Sequence, residues 1–332
     1  MNKSCFRHVY GPVPSRRLGR SLGIDLVPFK TCTYDCIYCQ LGRTTKKTTT
    51  PKVYIPNEEV LLALAEKLRV EPKPDYIGLA GSGEPTLHAG MGDLIAGIKA
   101  CTDIPVAVIT NGSLLWRPEI RASLAEADLV LPSLDAGSRL TFERVNRPHP
   151  DLSFEEMTDG LLTFSHEFKG TIWLEVFLLS GINDQREEVA RIATLTKGMR
   201  LDRVQLNTVS RPPAESEAHR VTPEELETVR GLFSRPCEII AERRSQQPFR
   251  STLSDHVTEA ILALLSRRPC TLEGISEGLA LPPNEVIKQV ETLLDQGLLR
   301  SVRRDELVFY ERSRSPKREQ HSDLPGATRA LD

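Results

Sequence analysis

Residues 30–41 read Lys-Thr-Cys-Thr-Tyr-Asp-Cys-Ile-Tyr-Cys-Gln-Leu, and the rest of the chain can be arranged around this stretch. Its three cysteines, Cys32, Cys36 and Cys39, are separated by three and two residues. An apolar run at residues 24–29 predicts a strand directly before them, so the cysteines fall on one loop. One short loop can bring three thiolates to a common point, which indicates a metal centre at the end of a strand.

The number of thiolates favours an iron–sulfur cluster over a single ion. A structural zinc or an electron-transfer cluster usually takes four protein ligands. A cube of four irons held by three cysteines keeps one iron for a substrate or a cofactor. The alternatives are a zinc site completed by a distant histidine and a chance group of reduced cysteines.

The spacing Cys-x3-Cys-x2-Cys, with Tyr38 directly before the last cysteine, resembles the signature of radical S-adenosylmethionine (SAM) enzymes. The resemblance implies a 4Fe–4S cluster on Cys32, Cys36 and Cys39, whose open iron binds the amino and carboxylate groups of SAM. It also places Tyr38 near the adenine. The implied reaction is reductive cleavage of SAM to methionine and a 5′-deoxyadenosyl radical, which takes a hydrogen atom from a substrate. An electron donor such as flavodoxin or ferredoxin is implied as a partner.

A second motif follows the strand predicted at residues 76–80. Residues 81–86 read Gly-Ser-Gly-Glu-Pro-Thr, where glycine lets the backbone approach a ligand closely and Glu84 can accept hydrogen bonds from an ammonium group. The stretch resembles the Gly-Gly-Glu motif of the same family, which holds the SAM amino group. Because Ser82 replaces the first glycine, the likeness rests on Gly83 and Glu84.

Apolar runs and helical patterns alternate as far as residue 233, which predicts strands joined by helical crossovers. Right-handed crossovers between parallel strands curl a sheet toward a barrel. The sequence therefore predicts an α/β fold, a partial (β/α)6 TIM-like barrel in residues 1–245. The six predicted strands are 24–29, 76–80, 106–110, 129–131, 172–178 and 203–207.

Polar side chains follow several of these strands at the carboxyl edge, where parallel barrels place their chemistry. Asn111, Ser133, Asp135 and Asn207 suit the ribose hydroxyls and the methionine carboxylate of SAM, and the family resemblance supports the first three. Turn and helix-cap chemistry is the alternative for each. Glu175 lies within an apolar strand, so it is either an inward-facing polar group or an edge exposure.

Arginines on loops indicate an anionic ligand. Arg16 and Arg17 lie in a segment whose glycines and prolines predict an irregular path. Arg144, Arg147 and Arg211 are predicted at the carboxyl edge. Arginines that converge there favour a phosphate or carboxylate. Solvated surface charge is the alternative for each of them.

A second, smaller domain is predicted at residues 253–312, after an interruption of the periodicity at 243–252. Its pattern of three helices and a hairpin resembles a winged helix-turn-helix domain. Residues 313–332 are polar and lack hydrophobic periodicity, which predicts a disordered tail. The predicted helices are 255–265, 271–279 and 284–295, and the predicted hairpin strands are 299–303 and 306–310.

The third of these helices is the element that would read DNA bases. It offers only Lys288 and Gln289 among acidic neighbours. Because the charges of the domain are roughly balanced, a substrate-presenting or dimer-forming role is favoured over DNA binding.

Composition narrows the class of protein. The 332 residues carry a net charge of −2 and seven cysteines, and no apolar run reaches the length of about 18 residues that a membrane helix needs. The odd cysteine count predicts reduced thiols in the cytoplasm, with no membrane span. The lack of basic excess argues against a general nucleic-acid binder.

Residues 11–40 together with 82–87 resemble the radical SAM branch of iron–sulfur oxidoreductases related to wyosine-forming tRNA enzymes. The predicted function is a radical SAM enzyme that acts on an unidentified small-molecule or RNA substrate. One alternative is a wyosine-type, tRNA-modifying enzyme. Another is an iron–sulfur sensor that binds DNA through its winged helix.

Overall fold

The computed structural model describes residues 8–71, 73–210, 212–240, 252–267, 269–279, 281–304 and 307–313. The strands are β1 (Val9–Ser15), β2 (Gly19–Ile24), β3 (Thr31–Cys32), β4 (Lys46–Lys47), β5 (Tyr76–Leu79), β6 (Val106–Thr110), β7 (Leu129–Pro132), β8 (Thr171–Leu178), β9 (Arg203–Thr208), β10 (Cys237–Ile239), β11 (Leu299–Arg304) and β12 (Leu307–Arg312). The α-helices are α1 (Asn57–Val70), α2 (Met91–Cys101), α3 (Pro118–Ser123), α4 (Arg139–Asn146), α5 (Phe154–Glu167), α6 (Arg186–Lys197), α7 (Pro223–Arg230), α8 (Thr252–Arg267), α9 (Leu272–Leu279) and α10 (Pro283–Asp295).

One large sheet dominates the described part of the chain, with strand order β1-β2-β5-β6-β7-β8-β9-β10. All neighbours from β2 to β10 are parallel, and β1 pairs with β2 in the antiparallel direction. Helices cross over between successive parallel strands, which is the α/β architecture that the sequence predicts. Because β1 and β10 lie at opposite edges and do not pair, the barrel is partial and open on one side.

The two faces of the sheet differ, as the period of two along each strand requires. In β8, Ile172 and Leu174 are fully buried and belong to the main core together with residues of the helices. Trp173 points to the other face, where it packs with Leu129 and Leu131. Glu175 also lies on this second face, which we call the inner face of the partial barrel.

The structure corrects the sequence prediction at the first strand. The predicted strand 24–29 is a loop after its first residue, because β2 already ends at Ile24. The preceding segment, which the sequence predicts to be irregular, forms β1. Proline is tolerated in β1 because this edge strand pairs on one side only. Strand β10 and helix α4 are likewise absent from the prediction.

The C-terminal region, residues 252–313, contains α8, α9, α10 and a hairpin of β11 and β12, in the predicted order. Its own apolar core includes Ile261, Ile275 and Val290. The hydroxyl of Thr271 accepts a hydrogen bond from the Gly274 backbone N–H (3.1 Å) and so caps α9. The winged-helix assignment stays a prediction. The predicted tail beyond residue 313 and most of the predicted boundary lie outside the described residues.

A membrane-spanning helix would need a long apolar run. Among the helices that the structure describes, none combines the length and the apolar character needed to cross a bilayer.

Candidate functional site

The cysteine loop is tied to the residue 81–86 motif through its backbone. The Lys30 N–H donates to the Ser82 carbonyl (2.7 Å), and the Glu84 N–H donates to the Thr31 carbonyl (3.1 Å). A Cβ atom on Gly83 would collide with that Thr31 carbonyl oxygen. Glycine is therefore required at residue 83 because the cysteine loop itself passes this close.

The other side of the cysteine loop is tied to the end of α4. Backbone N–H groups of Asp35 and Ile37 donate to the carbonyls of Asn146 and Val145, each over 3.0 Å. The short pairing of β3 with β4 adds a third support, because it joins Thr31 and Cys32 to Lys46 and Lys47. A loop held on three sides fixes the positions of its thiols.

Each thiol of the cysteine loop accepts one side-chain hydrogen bond, from Asn111, from Asn146 and from Lys30 of the loop itself. The bonds are Asn111 Nδ2 to Cys32 Sγ (3.6 Å), Asn146 Nδ2 to Cys36 Sγ (3.5 Å) and Lys30 Nζ to Cys39 Sγ (3.1 Å). Hydrogen bonds to sulfur are among the features that set the potential of an iron–sulfur cluster. Asn146 and Lys30 have no assigned role in the sequence prediction, and no spacing rule points to them.

Burial and neighbouring charges shift the pKa values of the Cys32 thiol and the Lys30 ammonium group. Burial raises the pKa of Cys32 to about 12, with a smaller contribution from the nearby Glu84 carboxylate. Burial lowers the pKa of Lys30, but the neighbouring thiolates, Cys39 foremost, outweigh burial and the net pKa lies above its usual value. Lys30 therefore stays a cation beside the thiols, and it favours negative charge on them.

The donor set fits an iron–sulfur cluster better than a single ion. Within the described ranges, no three His, Cys, Asp or Glu side chains are grouped closely enough to hold one metal ion. A cube of four irons spreads its three thiolate ligands over a wider space. Three half-buried cysteines on one braced loop, with a cation beside them, suit such a cluster.

Glu84 is buried and its carboxylate already has four hydrogen-bond donors. Oε1 accepts from the Thr86 N–H and hydroxyl and from the Thr110 hydroxyl, and Oε2 accepts from the Asn111 N–H. Each carboxylate oxygen offers about two lone-pair positions, and Oε2 has a single donor, so Oε2 can accept one further hydrogen bond. Burial raises the pKa of Glu84, and these hydrogen bonds oppose the rise. Glu84 thus joins the ends of β5 and β6 whatever else it binds.

Tyr38 is held in one orientation. Its ring stacks on Phe177 with centroids 4.1 Å apart, and its hydroxyl donates to Asp135 Oδ2 over 2.5 Å. Asp135 also accepts from Asn146 Nδ2 (2.9 Å) and from the Phe177 N–H (3.0 Å). Burial raises the pKa of Asp135 to about 6. Asp135 therefore positions Tyr38 through Oδ2, while Oδ1 accepts one hydrogen bond, from the Phe177 N–H.

The side chain of Asn183 holds the backbone of Asp135 and Phe177 in place. Its Oδ1 accepts from the Leu179 N–H (2.6 Å), and its Nδ2 donates to the carbonyls of Asp135 and Phe177, each over 2.8 Å. The structure shows a fully buried side chain that joins β8 to the loop after β7.

Glu175 lies on the inner face, as one of its two sequence interpretations has it. Its Oε1 accepts from Asn207 Nδ2 (2.9 Å) and lies 3.1 Å from Arg17 Nη1. The Ser133 hydroxyl donates to Oε2 over 3.4 Å. Arg17 and Glu175 form an ion pair. Among the residues that the structure describes, no acceptor meets hydrogen-bond geometry with Arg17 Nη1, which is buried.

A cavity of about 270 Å³ lies beside the cysteine loop on the inner face. Of the residues predicted for the site, Tyr38, Cys39 and Asn207 line it together with Glu175. The other predicted residues are not among the residues that line the cavity: Cys32, Cys36, Gly83, Glu84, Asn111, Ser133 and Asp135.

The arginines predicted at the carboxyl edge pair with glutamates. Arg147 Nη1 contacts Glu215 over 2.7 Å, and Arg144 Nη2 contacts Glu217 over 3.3 Å. Surface charge is thus the better interpretation for these two. Arg211 lies outside the described residues.

Comparison with known proteins gives one matching family model and several relatives. The model of the radical SAM superfamily matches residues 26–193. A UPF0026 protein of Methanocaldococcus jannaschii is 32% identical over 308 residues, which cover 91% of this chain and 94% of that protein. A protein of Brachyspira hyodysenteriae named GTPase Obg is 41% identical over 295 residues, 89% of this chain. The chain spans only 43% of that relative's length.

A solved structure supports the fold. The crystal structure of a radical SAM methyltransferase from Sphaerobacter thermophilus aligns with a TM-score of 0.50 at 17% identity. The alignment covers 68% of this chain and 67% of that one. At this identity the likeness concerns the fold alone, a partial barrel of the same kind.

Proposed function

The chain belongs to the radical SAM superfamily, and on that premise we propose that Cys32, Cys36 and Cys39 hold its cluster. Members of this superfamily are enzymes that use a 4Fe–4S cluster and SAM, and this protein is such an enzyme. When bound, the cluster supplies the electron that cleaves SAM to methionine and a 5′-deoxyadenosyl radical. The observation that carries the proposal is that three thiols on one braced loop each accept a side-chain hydrogen bond, two of them from residues of other segments, Asn111 and Asn146.

The chain's own residues prepare the site. Lys30 compensates negative charge on the thiolates, and Asn111 and Asn146 orient two of them through hydrogen bonds. Apolar packing of the loop against the main core excludes water from its inner side. Such exclusion protects a reactive centre from side reactions.

For SAM, we assign Tyr38 to the adenine and the backbone and carboxylate at Gly83 and Glu84 to the amino group. The free acceptor position of Glu84 Oε2 supports this assignment. Asn207 lines the cavity and suits a polar group of SAM.

Three further residues form hydrogen bonds with other residues of the site. Asn111 binds both Glu84 and Cys32, Ser133 binds Glu175, and Asp135 binds Tyr38. We therefore assign them to orienting the SAM site.

The substrate stays a prediction: a small molecule or an RNA, with flavodoxin or ferredoxin as electron donor, in the cytoplasm. The wyosine-type reaction and the DNA-binding sensor remain the competing hypotheses. SAM cleavage separates the sensor from the enzyme, because a sensor would retain DNA in a cluster-dependent way without cleaving SAM.

The experiment is anaerobic reconstitution with iron and sulfide, followed by reduction with dithionite in the presence of SAM. We expect 5′-deoxyadenosine from the wild-type protein and none from Cys36→Ala. Cys101→Ala removes an exposed cysteine and is the matched control, which should retain the wild-type amount. Zinc in place of iron, or no 5′-deoxyadenosine from iron-loaded wild type, would contradict the proposal.

A further inference from the structure

Helix α10 of the C-terminal region lies along the open side of the partial barrel. Near its start, Asn284 Nδ2 donates to Asp25 Oδ2 over 3.2 Å, at the carboxyl end of β2. Two turns later, Glu291 Oε1 lies 3.9 Å from Arg16 Nη2, in the turn after β1. Since residues 284, 288 and 291 share one helical face, this face lies on the barrel.

A second contact joins the C-terminal region to the barrel. Arg303 of β11 donates to the carbonyls of Pro213 (2.6 Å) and Ala214 (3.0 Å), in the segment after β9. The C-terminal region therefore contacts the barrel near β1 and β2 and again after β9.

Lys288 lies between the two α10 contacts and lines the same cavity as Tyr38 and Cys39. Arg16 and Arg17 line this cavity too. Among the described residues of the lining, three side chains are cationic and one, Glu175, is a carboxylate. Glu175 pairs with Arg17, and Glu291 lies near Arg16 and Lys288, so the three cations outnumber the carboxylates by one. A half-enclosed site with this excess of positive charge favours an anionic group.

The cations are arranged to receive a ligand. Arg16 Nη2 donates to the Ser210 hydroxyl over 2.8 Å, which fixes its guanidinium at the cavity wall. Glu291 lies 3.9 Å from both Arg16 and Lys288 and is not among the residues that line this cavity. Its carboxylate therefore helps to position the two cations. Arg17 Nη1 is buried and ion-paired with Glu175 over 3.1 Å, and no hydrogen-bond acceptor for it is found in the described part of the chain.

We propose that α10 forms a wall of the substrate cavity, and that Lys288 together with Arg16 and Arg17 binds a phosphate or carboxylate group of the substrate. The C-terminal region is then part of the active site. This inference rests on the proposed function, because the cavity is a substrate site only if the cysteine loop supports radical chemistry.

The same geometry opposes DNA reading by α10. None of residues 283–291 is exposed, and the face that carries Lys288 is docked on the barrel. A recognition helix must present such a face to the major groove.

The test is titration of the full-length, cluster-bearing protein with inorganic phosphate and, separately, with malonate, followed by calorimetry. Loss of one charge-assisted hydrogen bond weakens binding by about ten-fold. We expect that loss in Lys288→Gln and no change in Lys169→Gln, which alters an exposed lysine elsewhere on the barrel. Preference for phosphate identifies a phosphorylated substrate, and preference for malonate a carboxylate.

The inference is overturned if neither anion binds, or if Lys288→Gln and Lys169→Gln behave alike. Retention of duplex DNA that Lys288→Gln abolishes would also overturn it. SAM cleavage by the wild-type protein is measured in parallel. If the wild type cleaves SAM but Lys288→Gln binds the anions as well as wild type does, only this inference fails. If the wild type does not cleave SAM, the proposed function fails.

Discussion

Replacing Asp25 with asparagine removes a carboxylate that burial holds in an unfavourable charged state. Asp25 is 7% exposed and accepts hydrogen bonds from the Ser82 N–H (3.0 Å) and hydroxyl and from Asn284. Burial raises its pKa from 3.8 to about 6, although the Ser82 hydrogen bonds act in the opposite direction. Such a shift is equivalent to about 3 kcal/mol of stability, present below pH 4 and lost as the pH rises through 6.

Stability falls as the pH rises because the pKa of Asp25 is higher in the folded state than in the unfolded state. Between pH 5 and pH 8 the wild-type protein loses about 1.4 kcal/mol of stability through Asp25, and Asp25→Asn lacks this term. If the substitution also changes the hydrogen bonds of residue 25, the stability of the variant shifts by an amount that is nearly the same at every pH in this range. The stability of the variant relative to wild type should therefore rise by about 1.4 kcal/mol over this range.

Urea unfolding of iron-free protein, followed by the fluorescence of Trp116 and Trp173, measures this difference at each pH. Both tryptophans lie in the barrel, so the signal reports the domain that contains Asp25. A difference that stays constant from pH 5 to pH 8, or falls, would refute the argument that Asp25 is buried as an ionised group.

Two further predictions concern the cysteine loop. Gly83→Ala should push the Thr31 carbonyl away and lower the stability of the protein by roughly 1–3 kcal/mol. This variant should also bind less iron per chain after reconstitution. The control is Gly231→Ala, where the added Cβ meets open space, and it should bind iron normally. Equal iron content in the two variants would contradict the steric argument. Lys30→Met removes the cation 3.1 Å from Cys39 Sγ, so the cluster's reduction potential should become more negative by on the order of 100 mV in an EPR-monitored titration. An unchanged potential would show that Lys30 does not act on the cluster.

The cysteine loop and the alternation of strands and helices could be predicted because both are written in local spacing. Five of the parallel strands, β5 to β9, follow from apolar runs bounded by turn residues. Strand β1 could not, since Gly11 and Pro12 predict a break and only pairing with β2 makes the segment extended. Helix α4 is amphipathic over only eight residues, which is too short for periodicity to be read with confidence.

The supporting residues of the site were beyond the sequence because their roles depend on distant contacts. Asn146 reaches Cys36 across 110 positions of the chain, and Asn284 reaches Asp25 across 259. No local pattern encodes such pairs. The sequence did indicate Glu175 and Asn207 individually, but not that they bind each other across neighbouring strands.

The central claim is that three cysteines hold a cluster with one iron open to SAM. Low-temperature EPR of the anaerobically reconstituted, dithionite-reduced protein tests it most directly. We predict the signal of a reduced 4Fe–4S cluster whose g values shift when SAM is added, and no such signal when Cys32, Cys36 and Cys39 are replaced by alanine. A cluster signal that SAM leaves unchanged, or one that survives the triple replacement, would contradict the account.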